Sequence, residues 1–326
     1  MPTVETVRGP VELSDLGATL MHEHVFVLST EHVQNYGDEW WDEEARVADA
    51  VTKLNALHAK GITTIVDPTV WGLGRNIPRI QRIAARTPLN IVVATGLYVY
   101  EELPQQYAYR GPGLLLDVPE PLVTDFVRDI ADGIAGTGVK AAFLKCCVEH
   151  PVPSPGIERI ARAVARASVE TGTPITVHTS GHEQSGTTAL DLFAAEGADL
   201  TKVVVGHAGD SNDLDFLMAL ADRGAYLGMD RFGLDLFNPG PERVKTIAAL
   251  AARGYDDRMV LGHDANCFID YWGGAHDAVR AAGAPNWHYE HISDDILPAL
   301  LQAGVTQRQI DRMLIANPVA YFTKAA

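Results

Sequence analysis

The sequence predicts an α/β protein folded as a (β/α)8 TIM barrel. Short apolar runs alternate with amphipathic helical stretches along the chain, the pattern of a parallel sheet covered by helices. The helical stretches repeatedly end on a glycine, and the alternation reaches eight units, which suits a closed barrel better than an open doubly wound sheet. No glycine-rich fingerprint opens a helix after the first strand, which further disfavours a dinucleotide-binding fold.

The first complete unit shows the grammar. Val47, Ala50, Val51, Leu54 and Leu57 share one helical stripe, Gly61 follows as a cap, and the apolar run 62–66 comes next. The same order recurs at Gly138, Gly172, Gly197, Gly224 and Gly254. Strands are expected at 19–27, 63–67, 90–96, 140–146, 174–178, 202–207, 225–230 and 258–264. Helices are expected at 42–60, 75–86, 121–136, 156–171, 187–196, 213–223, 241–253 and 294–322, the last broken near Gly304. No linker or composition break interrupts the series, so residues 1–326 read as a single domain.

Composition narrows the class of function. With 47% hydrophobic and 21% charged residues, the chain has the balance of an ordinary soluble globular protein. A formal charge of -16 argues against nucleic acid or an anionic membrane as partner, since both need a positive footprint. No run approaches the ~18 apolar residues of a membrane span, and residues 1–15 lack the apolar core of a secretory signal. Only three cysteines occur, two of them adjacent (Cys146, Cys147), so no disulfide framework is expected and a cytoplasmic location fits.

In a TIM barrel, chemistry sits where the strands end at their C-terminal side. The first strand carries His22 and His24, two residues apart and therefore on one face. The fifth ends in His178, the sixth in His207 and the eighth in Asp264. A lone histidine in an apolar strand is usually a hydrogen-bonded core residue, but five ligand-type side chains at strand ends of one barrel point to a metal centre. Imidazole with carboxylate suits zinc, manganese, cobalt or iron rather than the oxygen cage of calcium.

Lys145 interrupts the apolar run 141–147. It reads as a lysine snorkelling to the barrel mouth, as a Schiff-base amine, or as a carbamate formed with CO2 that bridges two metals. The five histidine and aspartate candidates favour the carbamate, because an ammonium would repel the cations they collect.

These residues and their flanks resemble the phosphotriesterase family of the amidohydrolase superfamily, in particular its phosphotriesterase-like lactonases. His22-Glu23-His24, Leu144-Lys145-Cys146, Pro174-Ile175 leading to His178-Thr179, Gly206-His207 and His263-Asp264 stand in family order. So do Thr95-Gly96-Leu97-Tyr98, Met229-Asp230-Arg231-Phe232-Gly233, Asn286-Trp287-His288 and Asn317-Pro318, so the likeness spans nearly the whole chain. The resemblance implies two divalent metal ions, zinc foremost. His22, His24 and Asp264 would hold the more buried ion and His178 and His207 the more exposed one. Carbamylated Lys145 and a hydroxide would bridge the pair. It further implies that Asp264 orients the hydroxide and carries a proton, that Tyr98 hydrogen-bonds near the bridging oxygen, and that Arg231 shapes the substrate end of the pocket. A homodimer is implied as well.

Gly262 before His263, residues 265–267 after Asp264 and the stretch 179–183 depart from the family pattern, leaving the ligands intact and the substrate less constrained. His150 and His182 read as exposed loop histidines, and His32, His58, His276 and His291 receive no functional role. The loop 231–240 is short, as in the lactonases, while 265–292 is long and contains Phe268, Ile269, Tyr271, Trp272, Val279 and Trp287. The expected activity is opening of lactone rings, chiefly N-acyl-homoserine lactones (quorum quenching), with weak triesterase activity. A phosphotriesterase or carboxylesterase proper is the alternative within the enzymes, and a metal-free binding or Schiff-base protein the alternative outside them.

Overall fold

The computed structural model describes residues 2–323. Its centre is an eight-stranded sheet of β1 (Thr19–Leu20), β2 (Thr64–Asp67), β3 (Asn90–Gly96), β4 (Phe143–Val148), β5 (Ile175–Thr179), β6 (Val203–Gly206), β7 (Tyr226–Met229) and β8 (Met259–Leu261). Each strand pairs in parallel with its neighbour in sequence. The Met21 N–H donates to the Leu261 carbonyl across 2.8 Å and joins β1 to β8, so the eight expected units form the (β/α)8 barrel. The six glycines expected to cap helices (Gly61, Gly138, Gly172, Gly197, Gly224 and Gly254) all have positive φ.

Period-two alternation sorts the strand residues into two cores. Ile65, Leu144, Val177, Val205, Leu227 and Leu261 face outward into the main cluster beneath the helices. Val66, Val92, Phe143, Val204, Tyr226 and Val260 face inward and form a second cluster with Leu16, Tyr321 and Phe322 from the chain's two ends. Two residues further along the same inward faces come Lys145 after Phe143 and His178 after Thr176. The lumen therefore changes from apolar packing to polar side chains one layer toward the strand ends. Gly228 makes that change possible: a Cβ there would lie 2.9 Å from Gly206 Cα and 3.1 Å from Asp230 Oδ2.

Three expectations need correction. The first strand does not run unbroken over 19–27. It leaves the barrel after Leu20, and His24–Val27 pairs in parallel with Asn266–Ile269 instead. The eighth strand stops at Leu261 rather than 264, because the N–H groups of His263 and Ala265 go to the Glu23 carboxylate and that of Asp264 to the His22 carbonyl. The segment 294–322, by contrast, is helical on both sides of a break at Gly304 as expected: the π-helical stretch Ile292–Ile296 continues into Leu297–Gln302, and Gln307–Asp311 runs through the π-helical stretch Arg312–Ala316 into Asn317–Phe322. The long stretch after β8 is also not simply a loop, since it contains the strand Asn266–Ile269 and the helix His276–Gly283. Among the described residues no helix is long and apolar enough to cross a membrane.

Phe143 is fully buried in the inner cluster. Phe143→Ala should lower the unfolding free energy by about 3–5 kcal/mol, measured by urea titration, whereas truncation of the exposed Leu115 should change it by less than about 0.5 kcal/mol.

Candidate metal centre

The strand-end residues converge. His22 Nε2 and His24 Nε2 each lie 3.3 Å from Asp264 Oδ1, and the three side chains form a group able to hold a cation. Tetrahedral ligands at ~2.0–2.1 Å from a zinc ion stand about 3.4 Å apart, so this spacing fits one ion. Nearby, His207 Nε2 is 2.9 Å from His178 Nδ1 and 3.8 Å from Asp264 Oδ2, placing Asp264 between the two histidine pairs.

The opposite ring nitrogens are fixed by the protein. His22 Nδ1 contacts Asp230 Oδ2 at 2.9 Å, and His207 Nδ1 contacts Asp230 Oδ1 at 2.7 Å. Burial works against the Asp230 charge, but His207 and then His22 outweigh it and hold the carboxyl far below its usual range. A carboxylate only accepts, so both Nδ1 atoms carry the proton and both Nε2 lone pairs point to the centre. His24 reaches the same state through Thr69: the threonine hydroxyl donates to Asp67 and accepts from His24 Nδ1 at 2.7 Å. Burial, with Lys145 adding to it, pushes His22 down to about 4, and burial and then Arg231 push His207 well below the ordinary histidine range. Both imidazoles are therefore neutral at pH 7, as metal ligands must be.

His178 is positioned differently. Its Nε2 hydrogen-bonds Glu149 and its Nδ1 faces both His207 and the Tyr98 hydroxyl, the latter at 3.3 Å. Burial raises the Tyr98 phenol well above its ordinary value, so it stays a neutral donor. Lys145 lies among these groups, 1% exposed, and its Nζ has no hydrogen-bond partner among the described residues. Burial lowers its pKa. An unpaired buried amine is costly, and the histidines and carboxylate around it supply the donors of a metal site that would complete it.

The rim of the centre holds backbone strain. His207, Arg231 and Asp264 lie one, two and three residues beyond the ends of β6, β7 and β8 and have φ of 63°, 61° and 53°, in the left-handed region that non-glycine residues avoid. Side chains hold them there. Arg231 donates from Nε to Asp264 Oδ2 at 3.2 Å and from Nη1 to Asp210 Oδ2 at 2.9 Å, and the fully buried Arg243 clamps Asp210 Oδ1 at 2.6 Å and the Asp230 carbonyl at 2.8 Å. On the other side, Glu23 Oε1 accepts from both the backbone N–H and Nδ1 of His263 at 2.7 Å, fixing the residue before Asp264. The Ile292 N–H donates to His263 Nε2 at 2.8 Å and so selects the Nδ1–H form of that ring.

A cavity of about 350 Å³ opens over these groups. Tyr98, Lys145, Arg231 and Asp264 form its polar end, while Leu73, Leu234, Ile269 and Trp272 line its apolar wall. Of the long segment after β8, Asn266, Ile269, Tyr271, Trp272 and Trp287 reach the cavity, whereas Phe268 packs on Trp41 and Val279 lies outside. Trp287 also donates through Nε1 to the carbonyls of His263 and Asp264, so it supports the centre as well as lining the pocket.

All eight residues singled out in the sequence (His22, His24, Tyr98, Lys145, His178, His207, Arg231 and Asp264) meet here; seven line the cavity and His207 is buried beneath it. Their supports, Asp230, Asp210, Glu23 with His263, Thr69 and Glu149, were not assigned roles from the sequence. Asp230 and Glu23 carried a signal, since each is an acid one residue from a candidate and within an apolar strand stretch. Glu149 carried none. His150 is exposed and pairs with Glu183, and His182 is held by the Phe237 carbonyl.

The model of the phosphotriesterase family matches residues 2–322. A Mycobacterium tuberculosis relative named phosphotriesterase homology protein is 51% identical over 324 residues, covering 99% of this chain and 98% of its own. A Saccharolobus solfataricus relative named aryldialkylphosphatase is 36% identical, covering 97% and 98%. A solved structure described as the phosphotriesterase from Mycobacterium tuberculosis superposes with a TM-score of 0.95 at 51% identity, covering 99% of both chains.

Asp230 orients one histidine of each pair, so Asp230→Asn should weaken metal retention by roughly 10- to 100-fold. Metal content after graded chelator dialysis measures this. Retention equal to the parent protein's would show that Asp230 is dispensable for tautomer selection.

Proposed function

The chain belongs to the phosphotriesterase family and is a hydrolase acting on ester bonds, and we propose that it opens lactone rings, with N-acyl-homoserine lactones as the principal class. The observation that carries this reading is the cavity itself: one polar end over the candidate centre and one apolar wall suited to an alkyl tail. The short stretch 231–240 contributes Leu234, Leu236 and Phe237 to that wall. Specific triester hydrolysis is the second reading, favoured by the name of the 36% identical relative.

In this proposal His22, His24 and Asp264 would hold one divalent cation, His178 and His207 would hold the other, and carbamylated Lys145 would be a ligand available to both. The orphaned Nζ is what supports a carbamate, because an added carboxylate turns an unpaired amine into an anionic ligand between cations. Zinc suits the donor set, with cobalt, manganese or iron as alternatives. When bound, the pair would acidify a water and polarise the substrate carbonyl.

The chain's own groups supply the rest. Arg231 donates from Nε to the Asp264 carboxylate, which lies where it can take a proton from attacking water. As the ring C–O bond breaks, Asp264 returns that proton to the departing ring oxygen. Tyr98 donates a hydrogen bond to the carbonyl oxygen as charge develops there. Arg231, held between Asp264 and Asp210, remains a fixed cation at the polar end and orients the substrate.

Lys145→Ala should abolish turnover, and bicarbonate or a short carboxylic acid should partly restore it by replacing the bridge. Failure of every small acid to rescue a metal-loaded variant would count against the carbamate.

Turnover of an N-acyl-homoserine lactone series against paraoxon tests the substrate directly: lactones should lead, and triesters outpacing every lactone would establish the second reading. Tyr98→Phe should raise the lactone barrier by about 1–3 kcal/mol with metal content unchanged.

A further inference from the structure

Another group of ligand-type side chains meets the far nitrogen of the His178 ring. Side chains alternate along β4, so Cys146 packs into the main core while Cys147 follows Lys145 on the inward face. Glu149 comes two residues later, just beyond the strand end. Cys147 is the register partner of His178 on β5, which sets the thiol and the ring side by side. One ligand atom from each of Cys147, Glu149 and His178 lies within 4.8 Å of the other two.

The ring presents its nitrogens to different neighbours. Nδ1 faces His207 and Tyr98, whereas Nε2 meets the Glu149 carboxylate. Cys147 and His178 are buried, and Glu149 is the open member, its side chain 43% exposed. Glu149 lines a cavity of about 330 Å³ with Glu101, His150, Val152 and Pro153, none of which belongs to the cavity over the candidate centre. Glu101, Glu149 and the Glu183 that pairs with His150 make its approach acidic. A cation therefore has its own path to Glu149, apart from the substrate cavity.

Thiolate, imidazole and carboxylate are the donors of a tetrahedral zinc-type site with one open position. The sulfur favours soft ions, which the nitrogen and oxygen donors of the main centre do not select. Resting on the reading of His178 as a ligand of that centre, we propose that Cys147, Glu149 and His178 form an inhibitory side site for a thiophilic divalent cation such as zinc or cadmium. As the ion binds, the thiol gives its proton to solvent and the metal–sulfur bond forms. Nε2 likewise gives up its proton to take the ion, and Nδ1 takes one up, so the ring no longer offers a lone pair to the main centre. Filling the side site thus withdraws His178 from catalysis.

The test titrates the metal-loaded enzyme with cadmium chloride. It follows the ultraviolet sulfur-to-cadmium charge-transfer absorbance together with turnover of whichever of paraoxon or a homoserine lactone the parent enzyme hydrolyses. In the parent, absorbance should rise to saturation and turnover should be lost over the same cadmium range. Cys147→Ala should show neither response while matching the parent before cadmium is added. Cys147→Ser, closer in size, takes its place if alanine at this buried position prevents folding. Cys146→Ala, which removes the neighbouring thiol on the outward face, should respond as the parent does. Absorbance that is absent from the parent, or that survives in the Cys147 variants, overturns the site. Absorbance without inhibition overturns its inhibitory role. Inhibition that persists without Cys147 overturns the proposal as well, because the ion then acts at the main centre. A parent enzyme that hydrolyses neither substrate refutes the proposed function instead, and the absorbance of the Cys147 variants still decides the side site.

Discussion

Asp230 is the carboxylate on which the candidate centre depends. Its two oxygens accept from His22 just after the first strand and His207 after the sixth, one histidine from each pair. A single fixed anion thereby sets two tautomers and aims two lone pairs at one space. Asp230 is fully enclosed and can stay ionised only because both rings and the His207 backbone N–H meet it. Removing any one of these partners leaves a buried charge short of its compensation. Asp264 and Asp210 repeat the arrangement outward: each carboxylate is shared between groups, with Arg231 joining the two and Arg243 anchoring the second.

This sharing explains how the barrel tolerates strain at its rim. Three consecutive strand ends turn through the left-handed region at His207, Arg231 and Asp264, a conformation that costs of order 1 kcal/mol or more for each residue. Every one of them is tied by its side chain to a neighbour in the same network. The apolar layer below, with Phe143, Val204 and Tyr226, supplies rigid support, and glycine at 228 leaves the volume that the polar layer occupies. The chemistry-bearing layer is thus a continuation of the hydrophobic alternation by one step, with the side chains changed.

The cavity joins two elements that differ in character. The stretch 231–240 brings Leu234 and Phe237 in on a short path, and Phe237 stacks under the Arg231 guanidinium at 4.5 Å. The long segment after β8 is anchored at both ends, by pairing of Asn266–Ile269 with His24–Val27 and by Trp287 bonding back to the Asp264 carbonyl. The substrate wall is therefore coupled to the centre through the same backbone that carries Asp264, and changes in one are transmitted to the other.

The sequence alone determined the barrel and six of the residues that meet at its mouth, and the family resemblance added Tyr98 and Arg231. Helical and strand periodicities are local, and a side chain's distance from its own strand end can be read by counting. The capping glycines followed for the same reason, since a left-handed turn favours glycine whatever surrounds it. What tertiary structure decided was the partnership between residues far apart in the chain. Asp230 lies 208 residues from His22, and Glu23 lies 240 from His263, and no local pattern announces either pair. The early break of the first strand and the early end of the eighth had the same origin, because distant carboxylates and carbonyls capture N–H groups that a continuous ladder would have used. The grouping of Cys147 and Glu149 with His178 was equally invisible, because it depends on how β4 and β5 are set in register, which neither strand's own sequence states.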